Sequence, residues 1–389
     1  MPHDPSQTQD PPQTGKPQKL SRTVLDDLNQ MDFRRTMRED LQEIYQFYLD
    51  ADTRDRLDEM DRFSRWCHLT GWLLKNSILK LPPVRRLLLL GGMVLFLWGL
   101  VDSVPGLIMG FLLVILTLIL ELKDKLLAQD ELMTGRAVQF ALMPKQHPAL
   151  PGWETWLFTR PAKEVGGDLV DYLAINEDRL GLALGDVAGK GLGAALYMSK
   201  LQSTLRAVAP NFDTLSELGA AVNEIFIRDG LPDRFISLVY LEIESEVGQV
   251  RVLNAGHLPP LVVHAETVEE MPKGAPALGL LRGVAYTEQH VELAPGDLMV
   301  VYSDGLTEAR NEQRVFFGDE RLMALLPSLR GLSAEAAGLR LLDAVEDFVG
   351  EARPHDDLSM VVLKRIPLPA RLPAPSAAVQ EDASATSPE

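Results

Sequence analysis

The longest hydrophobic stretches of the chain lie in its first third. Residues 87–101 and 107–120 are apolar almost throughout, and only Asp-Ser-Val-Pro-Gly at 102–106 separates them. Those five residues are typical of a turn, and each run is shorter than the roughly 20 residues that a hydrocarbon core of about 30 Å requires. The pattern predicts a transmembrane helical hairpin over residues 82–122 that recruits flanking residues. A pair of buried core helices, or a re-entrant segment, is the alternative.

Basic residues flank this hairpin at its ends and are missing from its tip. Arg85 and Arg86 precede the first run, and Lys123 and Lys125 follow the second. Because loops rich in Lys and Arg stay on the cytoplasmic side, both ends are predicted to face the cytoplasm. We therefore expect the chain in the inner (cytoplasmic) membrane, with everything downstream of the hairpin in the cytoplasm.

The segments next to the hairpin have weaker patterns. Residues 1–20 are rich in Pro, Gln and Asp and predict a disordered tail. Residues 21–81 carry apolar side chains at three- and four-residue steps, which predicts a helical N-terminal region. Residues 123–143 predict a linker helix that Pro144 ends. Its hydrophobic seam is imperfect, so two readings stay open: a helix packed on the downstream domain, or the stalk of a parallel homodimer.

The pattern changes after residue 144 to short alternating runs and amphipathic segments. The runs predict strands at 153–158, 169–175, 180–184, 236–243, 250–253, 261–264, 298–302 and 358–363. Helices are predicted at 193–209, 214–228, 320–329 and 333–348. Strands come as hairpin-like neighbours and helices as pairs, which indicates an α+β domain over residues 144–366. Residues 367–389 are rich in Pro, Ala and Ser and predict a second disordered tail.

Composition narrows the function classes. The chain of 389 residues has a formal net charge of −17, and this argues against binding to nucleic acid. The single cysteine, Cys67, cannot form an intrachain disulfide. A cysteine phosphatase loop needs an Arg six positions after its Cys, and Leu73 stands there.

Four aspartates stand at the ends of predicted strands. They are Asp168, Asp186, Asp304 and Asp356, and each lies beside glycine or a strand-like run. Two carboxylates about 4 Å apart repel by roughly 4 kcal/mol at an effective dielectric constant of about 20. If the four converge, a hard divalent cation with oxygen ligands would remove that penalty. The spacing alone also allows four separate turn residues.

Five ordered motifs contain these aspartates. They read Glu-Val-Gly-Gly-Asp at 164–168, Gly-Asp-Val-Ala-Gly-Lys-Gly-Leu-Gly-Ala-Ala-Leu at 185–196, Asn-Ala-Gly-His-Leu-Pro-Pro at 254–260, Tyr-Ser-Asp-Gly-Leu-Thr-Glu at 302–308 and Asp-Asp-Leu-Ser at 356–359. Together they resemble the metal-dependent serine/threonine protein phosphatases of the PPM superfamily, in the SpoIIE and RsbU-like branch. The resemblance covers residues 136–366.

The resemblance implies a fold and a reaction. The fold would be a β-sandwich flanked by paired helices, with the metal centre at one edge between the sheets. Two Mn²⁺ or Mg²⁺ ions would activate a water for attack on a phosphomonoester. Asp186 would bridge both ions, the Val187 carbonyl would ligate one, and Asp168, Asp304 and Asp356 would complete the set. Asp356 is taken as the ligand in preference to its neighbour Asp357.

Other polar residues of the motifs carry two readings each. Glu164 is either an outer acceptor near the ions or a solvated charge. Asn254 and His257 are expected to be structural more than catalytic. Arg160 and Lys163 either guide a phosphate or are surface charges, the latter being favoured.

The predicted function is that of a membrane-tethered protein phosphatase. Its substrate would be phosphoserine or phosphothreonine on a cytoplasmic regulatory protein, by resemblance an anti-sigma factor antagonist. The alternative is a catalytically silent, membrane-anchored signalling scaffold. A P-loop nucleotide switch is disfavoured, because Gly191 stands where a magnesium-binding Ser or Thr would be needed.

Overall fold

The computed structural model describes residues 68, 71–72, 75–231, 233–245 and 248–368. The predicted tail at 1–20, most of the helical region at 21–81 and nearly all of the tail at 367–389 lie outside the described residues. Within the described part of that helical region, residues 75–80 are helical. The chain divides into two compact units, with the division between Asp124 and Lys125. Each unit is described by itself.

Two helices form the described part of the first unit. Helix α1 spans Pro83–Asp102, and helix α2 spans Val104–Leu142 and so continues past the division. Only Ser103 interrupts them. Its hydroxyl oxygen accepts a hydrogen bond from the Gly106 amide at 3.1 Å and so caps α2. Pro105 and Gly106, expected in a turn, therefore lie in the first turn of a helix. A proline is tolerated there because the first residues of a helix do not need their backbone N–H for a hydrogen bond within the helix.

Glycines set the contact between α1 and the first part of α2. A methyl group added at Gly99 would overlap the backbone of Leu107, and one at Gly110 would overlap that of Phe96. Such close approach of two helical backbones is typical of helix packing in membranes. Outside the apolar stretch, the Arg85 guanidinium contacts Glu121 at 3.0 Å and Asp124 at 2.6 Å. Both helices are long and apolar enough to cross a membrane by length and composition.

The second unit contains two five-stranded antiparallel sheets. Their strands are β1 Trp153–Arg160, β2 Asp168–Ala174, β3 Arg179–Val187, β4 Ile236–Glu244, β5 Gln249–Ala255, β6 Leu261–Val263, β7 Val268–Glu270, β8 Glu288–Glu292, β9 Leu298–Tyr302 and β10 Leu358–Arg365. One sheet has the order β1-β10-β9-β6-β7 and the other β2-β3-β4-β5-β8. The predicted strands are all present, with ends shifted by up to three residues.

The sheets pack face to face, and helices cover their outer faces. The apolar core between the sheets contains Leu182, Val239, Met299 and Val361, among others. Helices α3 Leu192–Val208 and α4 Leu215–Asp229 pack on the sheet that contains β3. The other sheet is covered by α6 Gly318–Leu325 and α7 Ala334–Val349, while a short helix α5, Asp304–Thr307, follows β9. This is the α+β sandwich flanked by paired helices that the sequence predicts.

Candidate metal centre

Two of the predicted aspartates lie side by side on neighbouring strands. Asp168 opens β2 and Asp186 lies near the end of β3, and the antiparallel register places them directly opposite each other. Residues paired in this way have Cβ atoms about 5 Å apart on the same face of the sheet. Asp168 is only 3% exposed, and its Oδ2 atom has no hydrogen-bond partner among the described residues.

Gly167 keeps the space in front of these two strands open. A methyl group at Gly167 would lie 3.3 Å from the Val187 carbonyl oxygen and 3.5 Å from Asp186 Oδ1. The side of β3 that carries both oxygens therefore faces a position that any larger residue would fill. The Gly pair of the motif is explained by this close approach.

Asp304 and Asp356 are brought together by a pair of buried serines. The Ser303 amide donates to the Ser359 carbonyl at 2.9 Å, and the Ser359 amide donates to the Ser303 hydroxyl at 3.0 Å. The Ser303 hydroxyl in turn donates to the Asp357 carbonyl at 3.1 Å. The start of α5 and the start of β10 are thus fixed to each other, with one aspartate on each.

The two adjacent aspartates before β10 have different surroundings. Asp357 accepts hydrogen bonds from the amides of Ala162 at 2.8 Å and Gly167 at 2.6 Å, so both its oxygens hold the loop before β2. Asp356 instead contacts the Lys190 ammonium at 2.6 Å. The choice of Asp356 as a metal ligand stays a prediction, and the contacts of Asp357 give that neighbour a bracing role.

Electrostatic interactions link Asp168, Asp186 and Asp304 to the aspartates beside them. Burial, followed by the charges of Asp304, Asp356 and Asp357, raises the pKa of Asp186 to about 6. Burial and the charge of Asp186 hold the pKa of Asp168 well above its usual range. The pKa of Asp304 is raised by burial and then by Asp356. Desolvation is the first cause of each shift, and neighbouring negative charges add to it.

Other buried acids of the sandwich do have cations. Asp171 forms two hydrogen bonds of 2.8 Å with the Arg206 guanidinium, and Glu242 contacts both Arg179 and Arg251. Asp168 is buried to the same degree, yet one of its oxygens lacks any partner among the described residues. An ionised Asp168 would therefore be stabilised by a cation from outside the described residues, because an unpaired buried charge is strongly unfavourable.

The donor set fits a hard divalent cation. In the described part of the chain, no three acidic, imidazole or thiol groups already surround a single point. Lys190 explains part of this, because its ammonium holds the Asp356 carboxylate. The available donors are carboxylate and carbonyl oxygens, which favour Mg²⁺ or Mn²⁺ over Zn²⁺. The orphan oxygen of Asp168 and the open position at Gly167 fit such an ion.

His257 lies behind the centre as a neutral brace. Its Nε2 donates to the Tyr302 carbonyl at 3.2 Å, so its Nδ1 accepts from the Ser237 hydroxyl at 2.8 Å. Burial lowers the pKa of His257 to about 4. Asn254 fixes the turn, because its Oδ1 accepts from the His257 amide at 2.9 Å. These contacts join β4 and β5 to the end of β9, just before Asp304.

Three further candidate residues lie away from the aspartates' contacts. Glu164 and Lys163 are exposed in the loop before β2. Arg160 pairs with Glu346 of α7 at 2.5 Å. Among the described residues, none of the three makes a hydrogen bond or ion pair with the four aspartates, and both interpretations given above for each of them stay open.

One buried residue that the sequence did not single out for the site reaches it from α2. Gln139 is 3% exposed, and its amide forms two hydrogen bonds with Gly166, donating to the carbonyl at 2.8 Å and accepting from the amide at 3.1 Å. Nearby, Gln202 of α3 donates to the Leu142 carbonyl at 2.9 Å. The end of α2 is therefore tied to the loop that carries Gly167 and Asp168.

Comparison with solved structures defines the class of fold. The SiaA-PP2C domain of Pseudomonas aeruginosa is 19% identical, with a TM-score of 0.54; the match covers 63% of this chain and 99% of that domain. At this identity the likeness shows the fold alone, and the fold is that of the PP2C-type phosphatases.

Comparison of sequences then gives the family. The family model of Stage II sporulation protein E (SpoIIE) matches residues 176–366, a range that includes Asp186, Asp304 and Asp356. Phosphoserine phosphatase RsbU of Bacillus subtilis is 25% identical over 242 residues, or 61% of this chain and 70% of RsbU. Protein IcfG of Synechocystis sp. is 27% identical over 263 residues, or 60% of this chain and 41% of IcfG. Over residues 176–366 the chain is therefore similar to the SpoIIE/RsbU branch of the PPM phosphatases, and it spans less than half the length of IcfG.

Proposed function

We propose that this chain is a membrane-tethered protein phosphatase that removes phosphate from serine or threonine on a cytoplasmic regulatory protein. One observation carries the proposal: the buried Asp168 has an oxygen without a hydrogen-bond partner among the described residues, and it lies opposite Asp186, whose pKa is raised to about 6 by burial and then by the charges of Asp304, Asp356 and Asp357. Similarity to a phosphoserine phosphatase, RsbU, supports the reaction. By the same resemblance, the substrate would be an anti-sigma factor antagonist.

In this proposal Asp168, Asp186, Asp304, Asp356 and the Val187 carbonyl hold two Mn²⁺ or Mg²⁺ ions. When bound, such ions supply an activated water and offset charge on the phosphoryl oxygens. The chain's own contribution is to fix the donors in advance. The reciprocal serine contacts hold the start of α5 against the start of β10, and Asp357 holds the loop that carries Gly167.

The domain organisation proposed from the sequence gives this reaction its location. Residues 144–366 would be the phosphatase domain, residues 82–122 the membrane hairpin, and residues 123–143 the linker helix between them. The apolar side chains of α1 support the hairpin, since only 11% of its most hydrophobic window is buried among the described residues. A core helix of a soluble protein would be mostly buried. Basic flanks then favour the cytoplasmic side of the inner membrane.

The linker helix can serve either of two proposed roles, and the contacts support one directly. The bonds from Gln139 and to Leu142 support packing of its end on the phosphatase domain. Leu126 and Met133, which are 52% and 53% exposed, leave an apolar face on the same helix. We keep the homodimer through that face as a proposal, because a partly apolar helix face is the usual seam of a helical dimer.

Phosphate release by the full chain in detergent tests the proposed reaction. We expect turnover of a phosphoserine peptide and of an aryl phosphate that requires Mn²⁺ or Mg²⁺ and stops with EDTA. An Asp186→Asn variant should be inactive under the same conditions. A wild-type chain that binds Mn²⁺ but releases no phosphate from peptides or phosphoproteins would contradict the proposal and leave the signalling scaffold as the better reading.

A further inference from the structure

A cavity lies beside the candidate metal centre and shares one wall residue, Asp356, with the proposed metal donors. Its volume is about 390 Å³, within the range of roughly 300–1,000 Å³ that ligand sites occupy. Gly305 and Asp356 form the wall next to the centre. Val345, Glu346 and Val349 of α7 form the opposite wall. A group bound here would therefore lie next to the phosphoserine during the reaction.

The lining of this cavity is rich in arginine. Arg160, Arg310 and Arg353 all line it, against two carboxylates, Glu346 and Asp356. Both carboxylates are already engaged, Glu346 with Arg160 and Asp356 with Lys190. Arg160 is occupied in turn by Glu346, which leaves Arg310 to supply positive charge to the cavity in a protein whose net charge is −17.

Arg310 is the arginine best prepared to receive a ligand. Its guanidinium lies over the Phe316 ring, 4.7 Å from the ring centre, and this contact limits its movement. Its Nε atom is buried and has no hydrogen-bond partner among the described residues. A buried N–H donor without a partner is unfavourable. The Arg310 guanidinium lines the cavity, so an oxyanion bound there would gain a charge-assisted hydrogen bond from it.

We propose that this arginine-lined cavity binds an acidic side chain of the substrate protein, close in sequence to the phosphorylated residue. The inference rests on the proposed phosphatase function and adds a substrate preference to it. A planar guanidinium binds a carboxylate through two parallel hydrogen bonds, so Arg310 selects Asp or Glu over Gln or Lys. Glu346 weakens the preference, because it already engages Arg160.

A set of phosphoserine peptides tests the preference with the full chain and Mn²⁺. The peptides are identical except that one flanking position at a time carries Glu, Gln or Lys. For at least one position we expect kcat/KM to be about tenfold higher for Glu than for Lys, mainly through KM. The ratio of the two values is the readout, so a general loss of activity does not affect it.

Two charge variants should move this ratio in opposite directions. In Arg310→Glu the preference should reverse in favour of the Lys peptide, which a merely structural role of Arg310 would not produce. In Glu346→Gln the Arg160 guanidinium is released, and the ratio should rise about twofold to threefold. Arg310→Met, which keeps an unbranched side chain over Phe316, should bring the ratio close to one. Its melting temperature, compared with that of the wild type, shows whether the fold survives loss of the arginine.

Arg228→Ala is the matched control. Arg228 lies on α4, its side chain is 73% exposed, and it forms an ion pair with its neighbour Asp229. The Arg228→Ala variant loses one positive charge, as Arg310→Met does, but at a position outside the cavity. The ratio should therefore stay at the wild-type value.

Two results would overturn the proposal while leaving the phosphatase function in place. The first is an active wild-type chain whose ratio is the same for all flanking positions, or does not change in Arg310→Glu. The second is weaker inhibition by inorganic phosphate in Arg310→Met with an unchanged ratio, because the cavity would then hold the phosphoryl group itself. If the wild-type chain releases no phosphate from any peptide, the proposed function fails first.

Discussion

The apolar hairpin and the β-sandwich use the same residue types in opposite ways. In the strands of the sandwich most leucines are buried, as at Leu238 and Leu363, which have no exposed surface. In α1 the buried residues are Gly92 and Gly99, while leucines such as Leu87 are up to 71% exposed. A chain that packs through glycine backbones and exposes leucine fits a lipid environment, where apolar contact between helices has no hydrophobic driving force. The sandwich instead buries its apolar side chains, as expected for a domain surrounded by water.

Charge separates the two regions in the same way. The apolar part of the hairpin has no charged residue between Arg86 and Asp102, whereas the sandwich buries Asp168, Asp171 and Glu242. A buried acid is tolerated when a cation accompanies it. Arginines meet that need at Asp171 and Glu242. At Asp168 the described residues do not, so the difference between these acids is the basis for the predicted metal ions.

The largest expected effect comes from Asp186→Asn. Loss of the charged donor that is proposed to be shared by both ions should lower kcat by more than about 100-fold, since even outer residues of a metal site change affinity or activity about 10–100-fold. The rise in melting temperature that Mn²⁺ gives the wild-type chain should disappear. Without metal the variant should melt above the wild type, because one buried repulsive charge is gone. A variant that melts lower both with and without Mn²⁺ would indicate misfolding.

The pH dependence of that difference gives a second test. The pKa of Asp186 is raised from 3.8 to about 6 in the folded chain. The stability that its protonated form contributes is therefore fully present below pH 3.8 and is lost as the pH rises to about 6. A rise in pKa of about two corresponds to roughly 3 kcal/mol in the free energy of unfolding. In EDTA, the stability of Asp186→Asn relative to wild type should therefore grow by up to about that amount between pH 4 and pH 7, in equilibrium urea unfolding.

The free energy of unfolding of Asp186→Asn is compared with that of the wild type at each pH, because His257 changes the stability of both proteins with pH in the opposite direction. Its folded pKa of about 4 lies below the usual 6.5, so the stability it allows is lost as pH falls through that interval. This contribution is common to both chains and cancels. A difference that stays constant from pH 4 to pH 7 would contradict the account of Asp186.

A matched pair of leucines tests the two environments directly. Leu90 of α1 is 42% exposed and Leu339 of α7 is 44% exposed. Leu90→Arg should oppose membrane insertion by roughly 3 kcal/mol, the value for an arginine near the middle of a membrane helix. Leu339→Arg should change nothing measurable, because its side chain faces water. The measurement is the fraction of each variant that stays in carbonate-washed membranes; equal fractions would contradict the hairpin.

A smaller effect is expected from Gln139→Leu. The variant keeps the helix but removes both hydrogen bonds to Gly166, so the loop with Asp168 is held less well. We expect the Mn²⁺ concentration for half-maximal activity to rise about tenfold. Gln129→Leu, at an exposed position of the same helix, is the control and should leave that concentration unchanged. An equal response of the two variants would mean that Gln139 does not position the centre.

Local patterns explain what the sequence could predict. Alternation of apolar residues placed the strands of both sheets, since each has one face in the core between them. Strands β7 and β8 were missed, because Val-Glu-Glu and Glu-Gln-His-Val-Glu are polar and pair at sheet edges. Pro105 and Gly106 were predicted as a turn, although the Ser103 cap places them in α2. In each case a neighbour or cap, and not the local pattern, decided the structure.

The site shows the same limit. The motifs identified Asp168, Asp186, Asp304 and Asp356, whose roles as metal ligands stay predictions. The bracing contacts of Gln139 and Asp357 join residues 27 and 190 positions apart. Such contacts cannot be predicted from local sequence spacing, because they form only when the loop before β2 packs against α2 and β10.

Counting the manganese ions bound to the full chain is the most direct test of the central claim, that four distant aspartates share divalent cations. Electron paramagnetic resonance of free Mn²⁺ during a titration measures this number without any substrate. The account predicts two ions per wild-type chain and a clear loss of bound ions in both Asp168→Asn and Asp186→Asn. Wild-type protein that leaves all added Mn²⁺ free, or variants that bind as many ions as wild type, would contradict it.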